Sequence, residues 1–529
     1  MIPPAEHTDV LIVGAGPSGL MMAAQLLRYG VQPVIIDSKR GPTSQSKALA
    51  VQARSMEIYR QMGIVDRVLS EGKPVRDVVL NEDGKKIAAL SLNDFGEPFT
   101  PYPFVQMFPQ SKNERLLLDN LTLNCCPVYW NTTLLSLIQQ EDKCDVVLQS
   151  GDAETCLTCS WIIGADGGHS SVRHQLDIPF KGDAYAHEFY LADVSIEDES
   201  DDSIRLFLAK QGFAAFFPMP GDKRYRIIGS LPERLEITED STIDVIKPHL
   251  KSITGIEAKI TSTHWFTKYK LHHRGAENFR QQRCFLIGDA AHISSPIGGQ
   301  GMNTGLQDAY NLAWKLAGVV NKQYGVQLLD SYTAERMPVA AALLKTTDRA
   351  FSFILSNTFW TRIVKKWLLP LIVKKVWGND VLRRKFFIQI SQAGIGYRDS
   401  KLNLHLSQAT KVKAGDRLPY LTVFDEKKRI ETDLHDWCTK PGFTFIALGH
   451  LTKEDLFRLA RWITQNYAGI LNFFYLPPSN KNRHIFDKFE IAASQQKTLI
   501  IRPDMYIGFI NDSIDTGKID SYMRGVVEF

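Results

Sequence analysis

The stretch DVLIVGAGPSGLMMAAQLLRYGVQPVIIDS, Asp9 to Ser38, constrains the fold of this chain more than any other. Val10 to Val13 is an apolar run without alternation, the pattern of a strand buried on both faces of a parallel sheet. Gly14, Gly16 and Gly19 then give G-x-G-x-x-G, with Ala15, Pro17 and Ser18 completing the loop. The following residues carry helical periodicity to Gly30 as a C-cap, and PVIID is a second strand with Asp37 at its end. This is a complete βαβ unit and predicts an α/β fold with a Rossmann-like domain. Gly14 permits the tight turn, Gly16 lets a pyrophosphate approach the backbone, and Gly19 lets the helix lie close on the strand. The helix N-terminus offers free N–H groups and a positive dipole end to phosphates. Asp37, with Ser38 beside it, is placed to accept hydrogen bonds from ribose hydroxyls. The unit predicts dinucleotide binding and does not choose between NAD and FAD.

A chain of 529 residues is too long for one ordinary core, so two to four domains are expected. Its 44% hydrophobic and 23% charged residues are those of a soluble globular protein, and a net charge of +4 gives no reason to expect a nucleic-acid partner. The N-terminus has no basic region before its first strand and no apolar run is long enough to span a membrane, so a cytoplasmic protein without an integral membrane segment is expected. Seven scattered cysteines read as reduced thiols. Cys156 and Cys159 form C-x-x-C, but inside a predicted strand, where residues three apart point to opposite faces. HExxH, Walker A, nucleophile-elbow and repeat patterns are absent from the sequence.

Two further motifs follow. SWIIGADGGHSSVRHQL is an apolar strand ending at Asp166, then a turn and a helix capped by Ser170 or Ser171. LIGDAAHISSPIGGQGMNTGLQDAYNLAWKLAGVV is a strand, a carboxylate at Asp289, and a loop with Pro296, Gly298, Gly299 and Gly301 that opens a long helix. A loop that needed only to turn would not need so many glycines before a helix start. Asp289 and His292 stand near enough in sequence to suggest acid–base partners.

Taken together, the three motifs resemble the single-component FAD-dependent aromatic hydroxylases, the class A flavoprotein monooxygenases of the para-hydroxybenzoate hydroxylase type, over about Val10 to Leu316. The resemblance implies that Asp289 binds the ribityl chain of FAD. It also implies that Pro296 and the Gly298–Asn303 segment line the isoalloxazine, with the backbone N–H groups of Met302 and Asn303 at its N1–C2 carbonyl. His292 then becomes a turn residue. Further implied FAD contacts are Gln110, Lys47 and Arg54 near the phosphates, Leu134 through its backbone, and Asp166; His169 matches a position some relatives use for the nicotinamide cofactor. A phenol-activating Asp of some members is replaced by Leu49, and Arg224 or Arg226 matches a flavin-adjacent arginine, so no catalytic base is named.

The implied activity is hydroxylation of a phenolic or polycyclic aromatic substrate, using NADPH or NADH and O₂, through a flavin C4a-hydroperoxide. Alternatives are an antibiotic-modifying monooxygenase of the tetracycline or rifamycin type, or a flavin-binding regulatory protein without turnover. A small aromatic substrate is the expected partner, and the protein is expected as a monomer or homodimer. The expected domains are an FAD-binding domain over 1–75, 105–180 and 281–345, and an inserted mixed β-sheet substrate domain over 76–104 and 181–280. A helical segment at 346–405 and a thioredoxin-like domain at 406–529 that lacks C-x-x-C follow. Phe213, Phe216, Phe217 and Met219 are candidates for an aromatic pocket. The basic, apolar stretch 360–385 is expected to pack on the FAD domain or a partner subunit, with attachment to a membrane surface as the alternative.

Overall fold

A computed structural model describes residues 6–45, 47–91, 99–197, 202–232, 235, 238, 241–295, 299–355, 361, 364, 368–426, 428–492 and 494–528. Pro296 and Gly298, and part of the basic stretch at 360–367, lie outside the described residues.

The first sheet is built on five parallel strands in the spatial order Cys284–Leu286, Ala153–Gly164, His7–Val13, Val34–Asp37 and Val128–Trp130. Helix α1 (Pro17–Arg28) crosses from the first strand to the next, and its residues Leu20 to Leu26 are buried. Helix α2 (Ala53–Gln61) and helix α3 (Gln110–Leu123) complete the early part of this layer. The strand Ala153–Gly164 shows why its C-x-x-C is not a thiol pair: Cys156 is exposed and Cys159 buried, as the two-residue period requires.

The second sheet has eight strands in the order His292–Ile293, Ile260–Ala276, Phe180–Ile196, Arg224–Ser230, Gly212–Pro218, Ile204–Ala209, Asp77–Glu82 and Lys85–Ser91. It is mixed, because Ile204–Ala209 pairs parallel with Asp77–Glu82. Its outer face packs Tyr190, Ala192, Phe207, Phe216 and Ile227 against helix α4 (Lys247–Thr254) through Leu250 and Ile253. Its inner face turns toward the first sheet, where Phe217 and Met219 join the main core. The α/β architecture with an added mixed sheet is the one expected.

Helix α5 (Gly301–Val320) is buried along almost its whole length and lies against α1. Helix α6 (Asp330–Leu355) reaches from the first layer to the inner face of the second sheet, where Tyr185 donates to Asp348 at 2.8 Å. Helices α7 (Leu369–Trp377) and α8 (Asp380–Ile390) form a hairpin anchored by buried Phe387. The last quarter of the chain has its own five-stranded sheet, ordered Leu404–Leu406, Ile507–Asn511, Lys497–Ile501, Phe443–Leu448 and Leu471–Leu476, with one core of its own and a second shared with Trp314 and Leu328.

Candidate functional site

The three glycines of the first motif do different work. Gly14 has φ +106°, and a Cβ there would lie 2.4 Å from the Ala165 carbonyl oxygen. At Gly19 a Cβ would fall 1.9 Å from the Gly14 oxygen, so the helix could not lie where it does. At Gly16 nothing lies within 4 Å: the bare backbone faces open space. Gly16 also caps α1 without a side-chain bond, and the first intrahelical bond runs from Leu20 N–H to the Gly16 oxygen at 2.9 Å. The N–H groups of Ser18 and Gly19 therefore have no partner within the helix. Asp37 ties the second strand to this loop, accepting from Ala15 N–H at 2.7 Å and Lys39 N–H at 2.8 Å, and Ser38 beside it is exposed. Each carboxylate oxygen keeps a further acceptor direction.

The third motif locks onto the first through Ser18. A Cβ on Gly288 (φ +58°) or on Gly305 would come within 2.3 Å of the Ser18 hydroxyl oxygen. These two glycines let the starts of α1 and α5 meet. Asp289 follows, reaching the solvent of the cleft while protein walls surround it; that enclosure raises its pKa, and His292 and Lys47 oppose the rise. His292 is not paired with Asp289. It is buried, stacks on Phe279 at 5.8 Å, and bonds Asp308 at 2.7 Å. Asp308 also accepts from Gly288 N–H at 3.1 Å and Arg336 Nε at 2.7 Å. Burial alone would raise the Asp308 pKa, but Arg336 and His292 outweigh it and hold it at about 2. His292 is thus a buried residue of the short strand His292–Ile293, tied to Asp308 rather than acting as Asp289's acid–base partner.

The glycine loop is held from its far side. The fully buried Asn303 side chain accepts from Gln52 N–H (2.9 Å) and the Ser55 hydroxyl (2.7 Å) and donates to the Ala50 (2.9 Å) and Gly299 (2.7 Å) carbonyls. Gly299 has φ +61°, and a Cβ there would press on Ala50 at 2.7 Å. Helix α5 starts at Gly301 with no side-chain cap, and its first internal bond is from Thr304 N–H to the Gln300 oxygen. The N–H groups of Gly301, Met302 and Asn303 are thus left unpaired within the helix. Among the described residues, Asp166 Oδ1 and Ser294 Oγ are buried polar atoms without a hydrogen-bond partner. The other Asp166 oxygen accepts from Ser171 N–H at 2.7 Å, while Ser170 is the N-cap of the helix Ser171–Gln175.

Opposite stands the inner face of the second sheet. Phe189, Phe213 and Tyr269 form a contiguous aromatic wall, with Phe189 6.0 Å from Phe213 and 6.1 Å from Tyr269. The Lys47 ammonium lies over the Tyr269 ring at 5.0 Å. Alternation decides the fate of the predicted aromatic pocket: Phe213 and Phe217 face inward, whereas Phe216 points to the outer core and cannot line the site. Arg226 grips Asp193 through two bonds of 2.7 and 2.8 Å and donates to the Lys47 carbonyl at 2.8 Å. It joins the sheet to the loop rather than presenting a free guanidinium to a substrate. Arg224 begins the same strand beside the turn at Gly221. Leu49 is buried and leaves no carboxylate at that position.

Of the expected contacts, Arg54 falls elsewhere. Arg54 is turned away from the cleft: it is 1% exposed, pairs with Glu57 at 3.0 Å, and donates to the Asp504 carbonyl at 2.8 Å in the C-terminal domain. A phosphate could not reach it. The Gln110 amide donates to Glu114 at 2.9 Å, and the Leu134 side chain is buried core. His169 is exposed within a positive group; burial, then Arg274, His169, Lys47 and Lys270, lowers the His272 pKa. Sequence reasoning missed Asp308 and Arg336. The available signal was the single carboxylate of the helix within the third motif, followed by an arginine one helix later.

A family model described as an FAD binding domain matches residues 7–347. The chain is 35% identical over 355 residues to 6-methylpretetramide 4-monooxygenase of Streptomyces rimosus, a match that covers 67% of this chain and 63% of that protein. It is 34% identical over 427 residues to pentachlorophenol 4-monooxygenase of Sphingobium chlorophenolicum, covering 79% and 76% respectively. In fold it is similar to aklavinone-11 hydroxylase, solved as a ternary complex with FAD and aklavinone: the TM-score is 0.81 at 22% identity, with both chains covered completely.

Proposed function

This chain belongs to the FAD-binding-domain family of flavin-dependent aromatic monooxygenases, and from that premise we propose that it hydroxylates a phenolic or polycyclic aromatic compound at the expense of NAD(P)H and O₂. One oxygen atom enters the ring and the other leaves as water. The observation that carries the reading is the meeting of two uncapped helix starts, α1 and α5, beside a glycine whose bare side faces open space, with an aromatic wall opposite.

The residues present fit FAD. Gly16 and the free N–H groups of α1 suit its pyrophosphate, Asp37 an adenosine ribose, and Asp289 the ribityl hydroxyls. The unpaired N–H groups of Gly301, Met302 and Asn303, with the dipole of α5 behind them, suit a ring that gains negative charge on reduction. Bound there, FAD would supply hydride acceptance from NAD(P)H and activation of O₂ for transfer of one oxygen atom. The protein must orient the substrate ring and keep bulk water away. Phe189, Phe213 and Tyr269 offer an apolar aromatic surface for the first task, and Asp193–Arg226 fixes the Lys47–Ala48 loop beside it. The cations Lys47, Lys270 and Arg274, around His272, suit the phosphates of the reductant.

We read the C-terminal domain as thioredoxin-like but without redox work. Its single cysteine, Cys438, is buried, and burial pushes its pKa up to about 12, which removes thiolate character at neutral pH. The test of the whole reading is a screen of phenols and polycyclic aromatics for substrate-stimulated NADPH consumption with matched hydroxylated product. Asp289→Ala should leave the purified protein nearly colourless. A colourless wild-type protein that refuses added FAD would overturn the proposal.

A further inference from the structure

The stretch from Arg362 to Lys385 holds eight Lys or Arg and one Asp, a surplus of seven positive charges in a chain whose total is +4. Everything outside it is therefore net negative by three. The single acid, Asp380, is already paired with Arg383 at 2.7 Å. The described part of this stretch is the α7–α8 hairpin. Sequence reasoning expected it to pack on the FAD domain or a partner subunit, with a membrane surface as the alternative, and its inner side packs: Phe387 is 1% exposed in the main core, and α7 touches the edge strand Lys85–Ser91 of the second sheet.

The outer side does not obey. Leu368, Leu371 and Ile372, at spacing i, i+3, i+4, share one helix face, and Leu371 is 64% exposed. Lys375, exposed, continues that stripe by one turn. On α8, Val381 (62% exposed) shares its face with exposed Lys385, and Phe386 is exposed beside it. Single exposed apolar residues need no explanation, but four on one hairpin, with Leu368 just before it, do. No helix among the described residues is long and apolar enough to cross a membrane.

We propose that the α7–α8 hairpin docks this protein on an anionic lipid surface, with the aliphatic stripe among the acyl chains and Lys375 and Lys385 at the headgroups. Clustered basic residues around an amphipathic helix have the charge and polarity such a surface takes up, and the fluid bilayer accepts side chains that match no fixed socket. A nucleic acid would satisfy the charge but offers nothing to Leu371 or Ile372. The proposal does not rest on the substrate reading.

The experiment is flotation of the FAD-loaded full chain with vesicles of pure phosphatidylcholine and with vesicles that also contain phosphatidylglycerol. Binding should be roughly tenfold stronger to the anionic vesicles and should weaken when salt rises from ~0.05 M to ~0.5 M. The double variants Leu371→Glu/Ile372→Glu and Lys375→Glu/Lys385→Glu should each lose most of it, while FAD absorbance and thermal midpoint stay unchanged. Equal binding to both vesicle types, wild-type binding by either double variant, or no binding at all would overturn it. So would a wild-type dimer that fails to float and that Leu371→Glu/Ile372→Glu converts to a monomer, since the stripe would then be a protein contact.

Discussion

Gly16 and Gly19 lie three positions apart, at the N-cap and in the first turn of α1, yet their substitutions should fail in different ways. A Cβ on Gly16 meets nothing within 4 Å, whereas on Gly19 it collides with the Gly14 oxygen. Gly16→Val is therefore expected to keep the wild-type stability within ~1 kcal/mol while FAD affinity falls at least about tenfold, because the side chain fills the space a pyrophosphate needs. Gly19→Ala should instead cost roughly 2–4 kcal/mol of stability, as strain at a packed helix start. Thermal unfolding and flavin titration of the two variants separate these outcomes. If Gly16→Val bound FAD normally, that open space would not be the phosphate cradle.

At the scale of elements, the loop before α5 owes its shape to Asn303 rather than to its glycines alone. The Asn303 amide satisfies the Gln52 N–H and the Ala50 and Gly299 carbonyls in a region closed to water. Asn303→Ala leaves these groups without partners, each at a cost of about 1–3 kcal/mol if no water enters. Expected are a loss of ~2–3 kcal/mol in denaturant unfolding and a faster release of FAD, measured by flavin fluorescence. The Asp308–His292–Arg336 cluster behind the same helix adds an acid limit. The Asp308 pKa is depressed in the fold to about 2, so its share of stability is complete above the ordinary carboxylate value near 4 and is lost as pH falls toward 2. Asp308→Asn should remove that dependence and lower stability at neutral pH, since Arg336 would be left buried without its counter-charge.

Across the whole molecule, buried charges join the C-terminal domain to the flavin-type domain. Glu335 on α6 receives Lys315 at 2.8 Å and Arg502 at 2.6 Å, and Arg502 also holds Asp504 at 2.6 Å. Glu57 receives Arg54 and Arg417 at 3.0 Å each. Removing one member of such a pair strands the others, so Glu335→Gln should cost about 3–5 kcal/mol and let the two domains unfold in separate steps, visible by calorimetry. His435, packed by the Glu57–Arg417 pair, gives the interface a pH response. Burial lowers its pKa from 6.5 to about 4, so the folded protein refuses a proton that the unfolded chain binds between those values. Stability from this group is full above pH 6.5 and falls as pH drops toward 4, by on the order of 3 kcal/mol. His435→Asn should flatten that slope in thermal scans taken across the range.

The local pattern alone determined the βαβ start, the glycine loop opening α5 and the strand character of Cys156–Cys159, because each follows from spacing within a few residues; spacing also suggested Asp289 for His292, which bonds Asp308 instead. Membership of the flavin hydroxylases was legible for the same reason: backbone shape at a cofactor needs glycine at fixed positions. What the sequence could not decide was which partner each polar side chain meets across hundreds of residues. Arg54 looked available for phosphate and went to Asp504, 450 positions later; Arg226 looked available for substrate and closed on Asp193. Phe216 and Phe217 are equal in composition but opposite in facing, and the register with neighbouring strands assigns one to each side. A lone arginine or carboxylate carries no record in its neighbours of the charge that will neutralise it, since only the folded chain brings the two together.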